Sequence, residues 1–199
     1  MKTDVLIDFP VLTTERFTLR PVTSDDINEI FELLSHPDVN KYYGRPRAKS
    51  MEAAGRYIET IARTVNNNEL LYWGICFKGE PKIVGTICLW NFRRAESRVE
   101  IGFDLLPAFQ GKGLMKETTK AVIDFAFSVL ECEKIDCWPN VENVPSIKLL
   151  EKNGFKRDIE AERNIDWNLQ PDFYRKNQEA NIVTTLIYTV TKTDRYAQS

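Results

Sequence analysis

The chain has 199 residues, 43% hydrophobic and 28% charged, a composition that excludes wholesale disorder and collagen-like repeats. Its 27 Lys and Arg stand against 29 Asp and Glu, and a net charge of −2 makes no electrostatic case for a dedicated nucleic-acid binder. No internal repeat or low-complexity linker divides it, so one domain over residues 1–199 is expected.

Leu12 to Arg20 alternates weakly before Pro21 and predicts a first strand. Thr23-Ser24-Asp25-Asp26 is a run of helix N-cap formers, and Ile27, Ile30, Phe31 and Leu34 follow at helical spacing. A loop holding His36, Tyr42, Tyr43 and Gly44 leads to a second amphipathic helix, with Ala54, Tyr57, Ile58, Ile61, Ala62 and Val65 on one face. The period then changes to two. Leu71 to Phe77 and Lys82 to Trp90 are expected to form a hairpin about Lys78-Gly79-Glu80-Pro81. In the next run Val99, Ile101, Phe103 and Leu105 alternate with Arg98, Glu100, Gly102 and Asp104, and Pro107 stops it. Gly113 to Glu131 is helical, with one narrow polar stripe at Glu117, Lys120, Asp124, Ser128 and Glu131, so this helix should be mostly buried. Lys134 to Trp138 is a short strand, and Pro145 to Asn153 a helix stopped by Gly154. Phe155 to Ala161 and Ala180 to Thr191 read as closing strands. The polar segment between them, Glu162 to Glu179, embeds Trp167, Phe173 and Tyr174 and has no clear period, which marks it as functional or disordered. The order β-α-α-β-β-β-α-β-α-β-β predicts an α/β (α+β) fold with a mixed sheet and helices on both faces.

Cys76, Cys88, Cys132 and Cys137 sit among apolar residues and read as buried, reduced thiols rather than a disulfide framework. The sole histidine, His36, is far from them in sequence, so no metal site is expected, and a loop-packing role suits it better than catalysis. Met1-Lys2-Thr3-Asp4 lacks the apolar stretch of a signal peptide, and Ala121 to Leu130 is too short to span a bilayer. A cytoplasmic protein without membrane attachment is expected.

The stretch that carries chemistry is Phe103 to Glu117. A strand ends at Pro107, and the turn Gln110-Gly111-Lys112-Gly113 feeds directly into the buried helix. Glycines let the main chain approach a ligand closely, while the first helical N–H groups and the helix dipole favour an anion such as a pyrophosphate. Lys112 and Lys116 would add charge. A Gly-x-Gly before a helix is by itself equally compatible with a plain connection. No Gly-Lys-Ser/Thr follows, which excludes a nucleotide-triphosphatase loop, and Lys116 replaces the third glycine of a dinucleotide fingerprint.

Gln110-Gly111-Lys112-Gly113-Leu114-Met115 resembles the Gln/Arg-x-x-Gly-x-Gly/Ala loop of the GCN5-related N-acetyltransferases (GNAT). The likeness extends to Thr14-Glu15-Arg16-Phe17-Thr18-Leu19-Arg20-Pro21, Glu100-Ile101-Gly102-Phe103, Glu117, Asn140-x-x-Asn143-x-x-Ser146 and Leu150-Glu151-Lys152-Asn153-Gly154-Phe155. These segments, spanning about residues 10 to 162, are similar to the ribosomal-protein N-terminal (Rim-type) branch. Met115 departs from the small residue usual in the loop, and the segment from Glu162 to Glu179 is longer than the family's usual turn.

The resemblance implies acetyl-CoA as donor, a primary amine as acceptor and a sheet splayed between the strand ending near Leu105 and the strand at Lys134 to Trp138. The pantetheine arm would bond main-chain groups of Phe103, Leu105 and Leu106, while Gln110, Gly111, Lys112, Gly113, Leu114, Met115 and Lys116 would hold the pyrophosphate, with Asn143 beside the thioester. Direct attack needs a neutral amine, a stabilised oxyanion and a protonated leaving thiolate. A free N–H within 104–106 would serve the oxyanion. Ser146 matches the family's candidate for protonating the thiolate; otherwise it is an early-helix hydroxyl serving the backbone. Glu100 leads as acceptor of the amine proton, ahead of Asp104 and Glu162, unless it is a solvated sheet residue or one ion-paired with Arg98 or Lys82. An α-amine with a pKa near ~8 needs little help from a base. No acyl-enzyme is expected, since no histidine lies near Cys132 or Cys137 in sequence. The aromatics Tyr42, Tyr43, Trp167, Phe173 and Tyr174 would wall an acceptor site, or serve as core. A protein N-terminus is the favoured acceptor, with an antibiotic, a polyamine or a non-catalytic CoA-binding module as alternatives, in a monomer or homodimer.

Overall fold

A computed structural model describes residue 1 and residues 9–43, 46–166 and 185–197. The chain opens with a hairpin of β1 (Leu12–Thr13) and β2 (Phe17–Pro21). The expected single strand from Leu12 to Arg20 is broken here because the Thr14 side chain closes a tight turn: its Oγ1 accepts from the Phe17 N–H at 3.0 Å, and the Thr14 N–H donates to the Phe17 carbonyl at 2.9 Å. Helices α1 (Ile27–Ser35) and α2 (Met51–Asn66) follow, the second capped by Ser50. Strands β3 (Leu70–Phe77), β4 (Ile83–Arg93) and β5 (Arg98–Leu105) form an antiparallel meander. Helix α3 (Leu114–Ser128) crosses to β6 (Lys134–Cys137), which runs parallel to β5 as a helical crossover requires.

The remainder is α4 (Val144–Lys152), β7 (Lys156–Arg157), α5 (Ile159–Asn164), β8 (Tyr188–Thr191) and α6 (Lys192–Tyr196). Phe155 to Ala161 is therefore not one strand. Asp158 accepts the Ala161 N–H at 2.9 Å and starts a helix after two paired residues. The last strand begins at Tyr188, preceded by an isolated bridge from Thr185 to Asn140. Residues 180–184 of the expected strand lie outside the described residues, as do Trp167, Phe173 and Tyr174. The strand order is β1-β2-β3-β4-β5-β6-β8-β7.

Each sheet face buries its own core. Against one lie α3 and α4, where Val122, Ile123, Phe125, Phe127 and Leu150 meet Trp73, Ile87, Leu89, Val99 and Ile101. Against the other, Ile30, Leu33, Ala54 and Ile58 of α1 and α2 meet Cys76 and Ile83. Fully burying each such aliphatic side chain contributes about 1.5–3 kcal/mol. The feature that positions the site is where pairing stops. On β6 the register with β5 ends at Glu100 opposite Asp136, whereas β4 still pairs with β5 at Leu105, through Gly85. Beyond Glu100 the sheet opens.

Candidate active site

The opening leads into a cavity of about 710 Å3. At one end it is lined by Gln110, Gly111, Gly113 and the first turn of α3. Gly111 and Gly113 have φ of 73° and 76°, in the left-handed region that favours glycine, and Gly113 is the N-cap of α3. The first N–H groups of that helix have no intrahelical partner. Lys116 lines this end, but Lys112 does not: its Nζ donates to the Ala108 carbonyl at 2.7 Å.

The turn is tied to the β1–β2 hairpin. Glu117 accepts from the Thr14 hydroxyl at 2.6 Å, the Arg16 N–H at 2.9 Å and Arg16 Nε at 2.7 Å. Partial burial works to raise the Glu117 pKa, but the Thr14 and Arg16 donors outweigh it and hold the carboxyl below its usual range.

In the middle of the cavity the wall is β5 itself. The Leu106 N–H donates to the Val84 carbonyl at 3.1 Å, so antiparallel alternation turns the main-chain groups of Leu105 and Phe103 away from β4, toward the opening. The protein covers both carbonyls with side chains. Gln110 Nε2 donates to Leu105 O at 2.9 Å, and the Tyr43 hydroxyl to Phe103 O at 3.2 Å. Facing them is the start of α4, where Asn143 Oδ1 accepts the Ser146 N–H at 3.2 Å. Asn143 thus caps the helix from a position on the cavity wall. Ser146 also lines the cavity, and its hydroxyl makes no hydrogen bond among the described residues.

The far end is aromatic. Tyr42, Tyr43, Tyr57, Tyr72 and Trp90 line it with Asp104. The Tyr57 hydroxyl donates to Tyr72 at 3.4 Å, and Tyr72 donates to Thr86 Oγ1 at 3.1 Å. Burial above all, then the nearby Tyr57 and Asp104, pushes the Tyr72 phenol well above its ordinary range, so it remains a neutral donor.

Residues 16–156 match the model of the acetyltransferase (GNAT) domain. The chain belongs to the GNAT family. It is 31% identical over 150 residues to the uncharacterized N-acetyltransferase YoaA of Bacillus subtilis, covering 75% of this chain and 85% of that protein. It is 25% identical over 171 residues to the spermidine N(1)-acetyltransferase of Escherichia coli, covering 85% and 84%. In fold it resembles the ribosomal-protein-S5-alanine acetyltransferase of Vibrio fischeri, with a TM-score of 0.68 over 93% of this chain and 98% of that one at 19% identity. A GNAT protein is an acyltransferase that takes its acetyl group from acetyl-CoA. The left-handed glycines, the open helix start and the unpaired inner edge of β5 suit such an elongated, phosphate-bearing donor.

Several residues singled out in this GNAT sequence lie off the cavity wall. Glu100 is 1% exposed and accepts from Asn91 Nδ2 at 2.6 Å beneath the sheet surface. It is neither a solvated residue nor the partner of Arg98, whose Nε and Nη2 bind the buried Asp136 at 2.5 and 2.9 Å. Leu106 belongs to the core under α1 and α2. Glu162 is held by Arg157 at 2.9 Å and by the Ile187 N–H at 2.9 Å. The His36 ring accepts the Asp38 N–H at 3.2 Å in the loop after α1. Among the cysteines, Cys88 is half-buried on the cavity wall. Cys137 also lines the cavity, but burial, reinforced by Glu100, Cys88 and Asp136, drives its thiol well above the usual range and keeps it protonated. No helix among the described residues is long and apolar enough to cross a membrane, and among them no group of three or more His, Cys, Asp and Glu could hold a metal ion.

Tyr57, Tyr72, Thr86 and Trp90 were not legible as site residues, because in sequence they belong to apolar helical and strand faces. The available signal was hydroxyl-bearing Tyr72 and Thr86 on neighbouring strands, each sharing its face with Cys88.

Proposed function

We propose that this GNAT enzyme acetylates the N-terminal amino group of a protein by direct transfer. The observation that carries the reading is the continuity of one cavity from the glycine turn, past the unbonded Ser146 hydroxyl, to the aromatic end. Acetyl-CoA, when bound, supplies the acetyl group as a thioester. Gln110, Gly111, Gly113 and the first turn of α3 through Lys116 hold its pyrophosphate, and the main chain of Phe103 and Leu105 takes the pantetheine arm once Tyr43 and Gln110 yield their carbonyls. Ser146 Oγ relays a proton to the leaving sulfur and regains one from solvent, and Asn143 holds the first turn that presents it. Because the Leu106 N–H is already bonded to Val84, the Leu105 N–H is the group on this edge that meets the oxyanion. Asp104, which shares a sheet face with Glu100 but lies on the cavity wall, accepts the amine proton.

The Rim-type motifs support a protein N-terminus as acceptor, and the likeness to a spermidine acetyltransferase supports a polyamine as the second reading. Thiol release from acetyl-CoA discriminates them. A peptide with a free N-terminus is expected to accelerate release, and the same peptide blocked at its N-terminus is not. Acceleration by spermidine alone would replace the first reading with the second. No acceleration by any amine, with CoA still bound, would overturn both.

A further inference from the structure

We infer that the Arg16 guanidinium is a clasp for the CoA pyrophosphate, aimed by Glu117 from outside the glycine turn. The inference rests on the reading of Gln110 to Lys116 as the pyrophosphate turn. A pyrophosphate brings about two negative charges, while a helix start offers the equivalent of roughly half a positive one, so main chain alone leaves most of the charge unmatched. Of the two lysines in the turn region, Lys116 lines the cavity and Lys112 is folded back onto Ala108. A further cation comes from the β1–β2 hairpin, about a hundred residues away in sequence.

Its orientation is over-determined. Nε is fixed by Glu117 at 2.7 Å, and the same carboxylate grips the Arg16 N–H and the Thr14 hydroxyl. Nη1 reaches the Lys112 carbonyl at 3.4 Å, and the guanidinium carbon stands 5.1 Å from the Phe17 ring centre. Nη2 has no hydrogen-bond partner among the described residues, and it lies 3.7 Å from where a Cβ on Gly113 would stand. The arginine thus presents a fixed, unused donor over the residue that begins α3. Its side chain is 43% exposed. The Arg16–Glu117 ion pair, exposed on the arginine side, contributes little to stability by itself, and the same three bonds that tie the hairpin to the turn also fix where the guanidinium points. A planar fork suits the oxygens of a pyrophosphate better than an ammonium does.

The test is calorimetry with CoA and with dephospho-CoA, which keeps the pyrophosphate and lacks the 3′-phosphate, at low and high salt. For R16Q, affinity for both is expected to fall about tenfold, the scale of one charge-assisted hydrogen bond, with a shallower salt dependence than the unmodified chain. R16K keeps the charge, loses the fork and guards against a folding defect; its affinity should fall by about threefold. Three results overturn the inference: unchanged affinity in R16Q and R16K, a loss for CoA but not dephospho-CoA, or an equal proportional loss at both salts, which marks a merely structural role. If the unmodified chain binds neither ligand, the reading of the turn fails as well; if it binds both and R16Q matches it, the Arg16 inference alone fails.

Discussion

The two ends of the cavity are built by different means. The turn end is a contiguous stretch, Gln110 to Lys116, made largely of main chain: two left-handed glycines, a helix start and an ion pair that locks them. The aromatic end is assembled from side chains of the loop after α1, helix α2 and strands β3, β4 and β5. A main-chain site depends on dihedrals that few residues tolerate, so it is sensitive to single substitutions. A side-chain site spreads its contacts, so each substitution there should have a smaller effect.

The largest expected effect breaks the first end. Gly113→Asp places a side chain where φ is 76° and a negative charge at the helix start, so CoA affinity should fall by about a hundredfold or more in calorimetry. Unchanged affinity would remove the turn from the binding site. Next, Ser146→Ala leaves both ends intact and removes the hydroxyl proposed as proton donor between them. It should lower kcat by about tenfold while CoA affinity stays near normal. A fall in affinity without a fall in kcat would make Ser146 a structural residue. At the aromatic end, Asp104→Asn should lower kcat several-fold at neutral pH and more than Glu100→Gln does, since only Asp104 reaches the wall; the reverse order in a pH–rate series would restore Glu100 as the proton acceptor.

The smallest effect is a pH dependence confined to the turn end. The Glu117 carboxyl is held below its unfolded value of about 4.3. Its contribution is therefore present above that value and lost as pH falls through the lower, folded one. CoA affinity should weaken on the acid side, below the usual carboxylate range, and Glu117→Gln should flatten that decline. An identical acid profile in the variant would show that this carboxylate does not govern the turn.

The same contrast explains how much was legible in sequence. The turn and its helix could be read because glycines, a proline stop and a helical period lie side by side between Pro107 and Ser128. The strands from Leu70 to Leu105 lie close to their expected spans, although β3 is buried on both faces. What failed was set by single polar side chains acting locally, Thr14 closing a hairpin and Asp158 starting a helix, against a weak alternation. Glu100 looked like a site residue because alternation puts it on the polar face of β5. Periodicity cannot show that Asn91, displaced by the irregular pairing between Trp90 and Arg93, covers it. Nor could it show that Arg98 belongs to Asp136, a partner that the parallel crossover brings alongside. Arg16 lay in plain view within a recognised motif, but its place over Gly113 depends on a contact a hundred residues distant.

An opening inside a sheet creates an edge strand in the middle of the molecule. The unpaired face of β5 from Phe103 to Leu105 has the same capacity to template a foreign strand as the outer margin of any sheet. The molecule blunts it as outer edges are blunted, with side chains: the Tyr43 hydroxyl on one carbonyl and the Gln110 amide on the next. These two residues therefore cap the carbonyls that an inner edge would otherwise leave open, as well as lining the cavity.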